Sequence, residues 1–111
     1  MITVTIERRA ADRRIASFKV EGHAKYAKAG KDIVCAGVSA ISVGTVNAIE
    51  ALAGVELPYT VRNGWLSSDI PMLADEAADG RMQLLLESMV VMLDTIVQSY
   101  GKYVVIQEHS L

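Results

Sequence analysis

Gly22-His23-Ala24-Lys25-Tyr26-Ala27-Lys28-Ala29-Gly30-Lys31-Asp32-Ile33-Val34-Cys35 is the stretch on which the fold turns. It begins where an alternating segment ends and closes where a helical one opens. Asp32 is a good helix N-cap, with Ile33, Val34 and Cys35 as the first three helical residues. The spacing predicts a helix from Ile33 to about Ala53, stopped by Gly54. Between the two segments, Ala24 to Lys31 reads as a loop rich in Ala, Lys and Gly.

Toward the N-terminus, Ile2, Val4 and Ile6 alternate with Thr3, Thr5 and Glu7, the pattern of a half-buried strand. Arg8 to Arg13 is polar and turn-like. Ala16, Phe18 and Val20 then alternate with Ser17, Lys19 and Glu21, and Gly22 ends this second strand. The two strands read as a hairpin. Arg8, Arg9, Arg13 and Arg14 cluster at its tip, where a solvated turn is a more ordinary reading than a binding patch.

Toward the C-terminus, Val55, Leu57, Tyr59 and Val61 alternate again, followed by the hairpin signal Asn63-Gly64 and a return strand from Trp65 to Ile70. Pro58 cannot donate a ladder hydrogen bond, which suggests an edge. Pro71 to Gly80 reads as a polar, acidic connection, partly helical. Met82, Leu85, Leu86, Met89, Leu93, Ile96, Val97 and Tyr100 fall on one helical face, read as core. Gly101 stops that helix, and Tyr103 to Gln107 is a last strand. Within the first helix, Ala36, Ala40, Gly44 and Ala48 form a small-residue strip expected at a close packing contact. The order β-β-α-β-β-α-β predicts an α+β fold, with two helices packed on a mixed β-sheet in a single compact domain over residues 1–111.

The composition bounds the function. The chain has 111 residues and a formal net charge of −2, which provides no global basic field for nucleic acid, so no direct nucleic-acid binding is expected. It opens Met1-Ile2-Thr3-Val4, unlike a signal peptide. The uncharged run from Ile33 to Ile49 contains Ser39, Ser42, Thr45 and Asn47 and reads as a buried helix, so no membrane partner is expected. One cysteine cannot form an intrachain disulfide or a multi-thiolate metal site, and a lone thiol points to a reducing cytoplasm. No phosphate loop, CxxC pair or HExxH is present, so neither cofactor nor metal is expected.

The chemistry rests on Cys35 and His23. A sulfur in the first helical turn lies near unpaired backbone N–H groups and the positive end of the helix dipole, which favour a thiolate. His23 falls at the other end of the same loop. A thiol and an imidazole flanking one loop are the minimal equipment for a nucleophile and its base. Each residue alone has an ordinary reading: Cys35 as a small buried hydrophobe, His23 as a strand-end residue satisfied by a local carbonyl. Backbone N–H groups near Cys35 are candidates to receive an oxyanion. Asp32 reads first as the cap, with orientation of His23 as the alternative. Ser39 lies one turn after Cys35; it lines the site or, more ordinarily, bonds back to the helix backbone. His109 sits near the C-terminus without an assigned role.

The paired elements Gly22-His23-Ala24 and Gly30-Lys31-Asp32-Ile33-Val34-Cys35-Ala36-Gly37-Val38-Ser39-Ala40 resemble the signature of the bacterial ribosomal-processing cysteine proteases. Element order and length fit as well, and Gly37 is a small departure where that family often has alanine. The resemblance implies a homodimeric cytoplasmic cysteine endopeptidase that removes the N-terminal extension of a large-subunit ribosomal protein, cleaving a short hydrophobic segment after a Phe-Ala pair. It implies Cys35 as nucleophile, His23 as general base and acid, and Asp32 in support. Gly22 and Gly30 are expected to flank a mobile loop, with Tyr26 closing over the peptide. The alternatives are a non-enzymatic ribosome-associated binding module, using the arginine turn on rRNA with Cys35 inert, and a redox-sensing thiol.

Overall fold

A computed structural model describes residues 1–28 and 30–111; Ala29 of the expected mobile loop lies outside the described residues. The strands are β1 (Ile2–Arg8), β2 (Ile15–Gly22), β3 (Tyr59–Arg62), β4 (Trp65–Asp69) and β5 (Val104–Ser110), and the helices are α1 (Ile33–Ala53) and α2 (Glu76–Tyr100). They form one five-stranded mixed sheet in the order β3-β4-β2-β1-β5, antiparallel except for the parallel pair β1–β5. This is the α+β architecture expected. Pro58 directly precedes the edge strand β3.

Alternation along the strands decides which face is covered. Ile2, Val4 and Ile6 of β1, Phe18 of β2, Leu66 of β4 and Val104 of β5 turn to one face and are buried there. Both helices pack on that face, α1 through Val34, Val38, Val46 and Ile49 and α2 through Met82, Leu86, Met89 and Leu93. Each helix is long and apolar enough to cross a membrane by length and composition. Here the apolar stripe of each supplies the core. The other sheet face carries Thr5, Ser17, Lys19, Ser67 and Gln107 and is open.

The bounds of α1 match the expectation because local chemistry sets both ends. Asp32 accepts from the Val34 and Cys35 N–H groups, and Gly54, at φ +71°, turns its own N–H back to Glu50 and Ile49. In the β3–β4 turn only Gly64 has a positive φ, +70°, so the turn is not type I′.

Four expectations are sharpened or corrected. Helix α2 begins at Glu76, inside the segment read as an acidic connection. Asp75 caps Ala77 and Ala78, Glu76 and Asp79 sit in the first turn, and Arg14 pairs with both, which offsets the weak helix propensity of Gly80. The small-residue strip of α1 faces outward, where Ala40, Gly44 and Ala48 form a shallow groove with Leu85, Ser88 and Met92 of α2. Strand β5 extends to Ser110, and His109 lies opposite Glu7 in the sheet. The turn at the arginine tip is exposed from Ala10 to Arg13, yet the arginines around it are tied down: Arg8 bonds Glu87 and Glu108, Arg9 bonds Asp12, and Arg13 reaches Ser110.

Candidate active site

The site starts from a sharp corner at the end of β2. Gly22 has φ +95°, and its N–H donates to the Gly64 carbonyl at 2.9 Å. A Cβ at Gly22 would overlap the Met1 carbonyl oxygen, so only glycine fits the corner. The next residue, His23, leaves the sheet, and its carbonyl accepts from the Met1 nitrogen at 2.6 Å. Gly22, expected to flank a mobile loop, is thus held on two sides.

Asp32 ties the loop to the helix. Its Oδ1 accepts from Val34 N and Cys35 N, both at 3.0 Å, and its Oδ2 from Tyr26 N at 2.9 Å and Ala27 N at 3.3 Å. The Cys35 N–H bond, with those from Ala27, Tyr26 and Val34, holds the carboxyl below its ordinary 3.8, against a smaller opposing effect of burial. Both oxygens are committed to amides, so the carboxylate caps and does not orient His23. The same bonds occupy the Val34 and Cys35 amides that were candidates for an oxyanion.

Cys35 is half-buried in the first turn of α1, and the Ala24 N–H donates to its sulfur at 3.4 Å. Among the described residues, neither ring nitrogen of His23 has a hydrogen-bond partner. His23 and Cys35 nevertheless line the same two chambers. An outer groove of about 580 Å³ runs past Lys25, Ala27, Gly30 and Ala36. An inner, mostly apolar chamber of about 230 Å³ lies between α1 and the β3–β4 hairpin, walled by Val38, Val43, Val61 and Leu66. His23, Cys35, Ser39 and Asn63 border both.

Ser39 therefore faces the site. Ser42 and Thr45 make the back-bonds to helix carbonyls, those of Val38 and Ile41, and Ser39 makes none. Gly30, at φ +82°, lines the outer groove. Tyr26 does not join them: its ring sits edge-on to Tyr100 and Tyr103, at 5.6 and 5.2 Å between centroids. Sequence reading missed Asn63 and Gly64, which wall the site opposite Cys35. Their dipeptide signalled a turn, but only the β2–β4 register, Glu21 opposite Trp65, brings that turn to His23. A polar cavity of about 670 Å³ on the open sheet face has neither Cys35 nor His23 in its lining. No group of three or more His, Cys, Asp or Glu side chains is placed to share a metal among the described residues.

The family model described as cysteine protease Prp matches residues 1–105. The chain is 44% identical over 102 residues to the ribosomal processing cysteine protease Prp of Bacillus subtilis, covering 90% of each. A crystal structure of an essential ribosomal processing protease Prp from S. aureus, with a covalently linked product peptide, has a TM-score of 0.85 to this fold. It is 32% identical and the match covers 97% of this chain and 99% of that one. A second structure of that S. aureus protease, with a substrate peptide, has a TM-score of 0.81 at 29% identity, with the same coverage.

Proposed function

The chain belongs to the Prp family of cysteine proteases, and on that premise we propose that it removes the N-terminal extension of a large-subunit ribosomal protein in the cytoplasm, acting as a homodimer. The observation that carries the reading is Cys35 in the first turn of α1, receiving the Ala24 N–H and sharing both chambers with His23.

In this reading His23 takes the proton of Cys35. The sulfur attacks the scissile carbonyl carbon, forming a C–S bond and a tetrahedral oxyanion. With the Val34 and Cys35 amides held by Asp32, the Ala24 N–H beside the sulfur is a backbone donor placed for that oxyanion. The His23 imidazolium then protonates the leaving amine as the C–N bond breaks, leaving a thioester. Water, deprotonated by His23, attacks the thioester and releases the carboxylate and the thiol. An extended peptide fits the outer groove, and one of its apolar side chains fits the inner chamber.

Incubation of the extended ribosomal protein with the purified enzyme, with Cys35→Ala and with His23→Ala tests this. Cleavage by the parent alone, with matched circular dichroism for all three, is the expected result. Cleavage by either variant removes that residue from the mechanism. No cleavage by the parent overturns the substrate assignment. The same samples in sedimentation analysis test the dimer.

A further inference from the structure

We infer that Gly64, at the tip of the β3–β4 hairpin, positions the His23 base, because the space its missing side chain leaves is the space the imidazole occupies. This rests on the Cys35–His23 reading above. A Cβ built on Gly64 would lie 2.6 Å from His23 Nε2, 3.1 Å from Cε1 and 3.3 Å from Cδ2. Three ring atoms meet that one point, so the ring rests on the glycine backbone. The rest is itself fixed to the base of the residue it carries: the Gly64 carbonyl accepts from Gly22 N–H, one residue before His23. The two glycines thus hold His23 from both ends, Gly22 by turning its backbone out of the sheet and Gly64 by setting how close its ring lies to the turn. With no hydrogen bond on either ring nitrogen among the described residues, packing against Gly64 is what sets where the imidazole lies in the two chambers it shares with Cys35. A side chain there would push the ring off this seat, and small displacements of a reacting group cost rate steeply.

Gly64 also needs a positive φ, so Gly64→Ala changes two things at once. Gly54 separates them. Its φ of +71° matches the +70° of Gly64, but a Cβ there meets nothing within 4 Å. Gly54→Ala therefore carries the backbone strain without the collision. The expected result for Gly64→Ala is a kcat reduced roughly 10- to 100-fold with KM little changed, and a displaced Cε1–H resonance of His23 in carbon–proton spectra. Gly54→Ala should lower Tm yet leave kcat and that resonance at parent values. In a His23→Ala background the collision is gone, so the Tm loss from Gly64→Ala should shrink to that of Gly54→Ala. Gly64→Asn is the second variant, since asparagine accepts positive φ more readily and carries the same Cβ; it should repeat the kinetic result with a smaller Tm loss. Parent kcat and an unmoved His23 resonance in Gly64→Ala or Gly64→Asn would overturn the inference, as would an equal Tm loss in both His23 backgrounds. These outcomes leave the dyad reading standing if His23→Ala is inactive, whereas an active His23→Ala overturns the dyad itself.

Discussion

The backbone N–H of Ala24 points at the sulfur of Cys35, 3.4 Å away, although the two residues belong to opposite ends of the loop. Ala24 is 3% exposed and follows His23 directly, so in the proposed mechanism one corner of the chain supplies both the base and a hydrogen-bond donor to the thiol. Substitutions that loosen the loop therefore act on the chemistry through this corner, as does a side chain added at Gly64 against the His23 ring.

Asp32 holds that corner closed. Asp32→Asn should keep the helix cap through its remaining acceptor oxygen but release the Tyr26 and Ala27 amides, which amide exchange will read as lost protection at those two residues. Asp32→Ala should lose both and lower Tm further. The parent should show protected Tyr26 and Ala27 amides without substrate. The pH sign follows from a lowered carboxyl: the contribution of Asp32 is fully present above its ordinary 3.8 and fades as pH falls through its depressed folded value. Melts of parent and Asp32→Asn should therefore converge at the acid end.

Tyr26 should matter for stability and not for the thiol. Tyr26→Ala removes two edge-to-face contacts worth about 0.5–1.5 kcal/mol each, which urea unfolding will show. The rate of Cys35 alkylation by iodoacetamide should stay at the parent value. A large fall in that rate would mean that the ring reaches the groove.

Filling the inner chamber should separate peptide binding from thiol chemistry. Val43 lines the chamber of about 230 Å³ beside Cys35. Val43→Phe should raise KM for the extended substrate by roughly tenfold or more while iodoacetamide still modifies Cys35 at the parent rate. An unchanged KM would place the substrate's apolar side chain elsewhere.

Arg8 is the main ionic tie between the first hairpin, α2 and β5. Its side chain is 11% exposed, but its partners Glu87 and Glu108 are 44% and 42% exposed. Solvent screening reduces the value of such pairs, so Glu87→Gln should cost about 1 kcal/mol, less in high salt. The Arg8 hydrogen bond lowers the Glu87 carboxyl against the effect of burial, with the charges of Arg8 and Arg13 adding to it. Its contribution is thus full above the ordinary 4.5 and lost as pH falls through the lowered value, and Glu87→Gln should flatten the acid limb of a stability profile. Cleavage at neutral pH should not change.

What was legible in the chain is what neighbouring residues decide among themselves. Asp32 and Gly54 bound α1 because both caps are local, and His23, Cys35 and Ser39 meet because one loop and one helical turn separate them. What was not legible depends on partners far along the chain. The start of α2 is supported by Arg14, at the first hairpin. Tyr26 turns away from the groove because Tyr100 and Tyr103 receive it. Asn63 and Gly64 carry a turn signal whose place beside His23 follows only from the β2–β4 pairing. The last strand is longer than its sequence signal because Glu108 to Ser110 lie on an exposed edge, where polar residues give no alternating signal.

The parallel pairing of β1 with β5 sets Ile2 opposite Val104, across almost the whole chain, while each hairpin joins near neighbours. Closing so long a loop carries a larger entropic penalty than closing either hairpin, which favours late formation of this pairing in folding. Until then β1 offers a bare edge with Val4 and Ile6 in it, a template for another unfinished copy. Docking of β5 replaces that edge with one bearing Glu108 and His109, the former held by Arg8. The charged final strand thereby replaces an apolar edge with an outer rim whose charges discourage further strand addition.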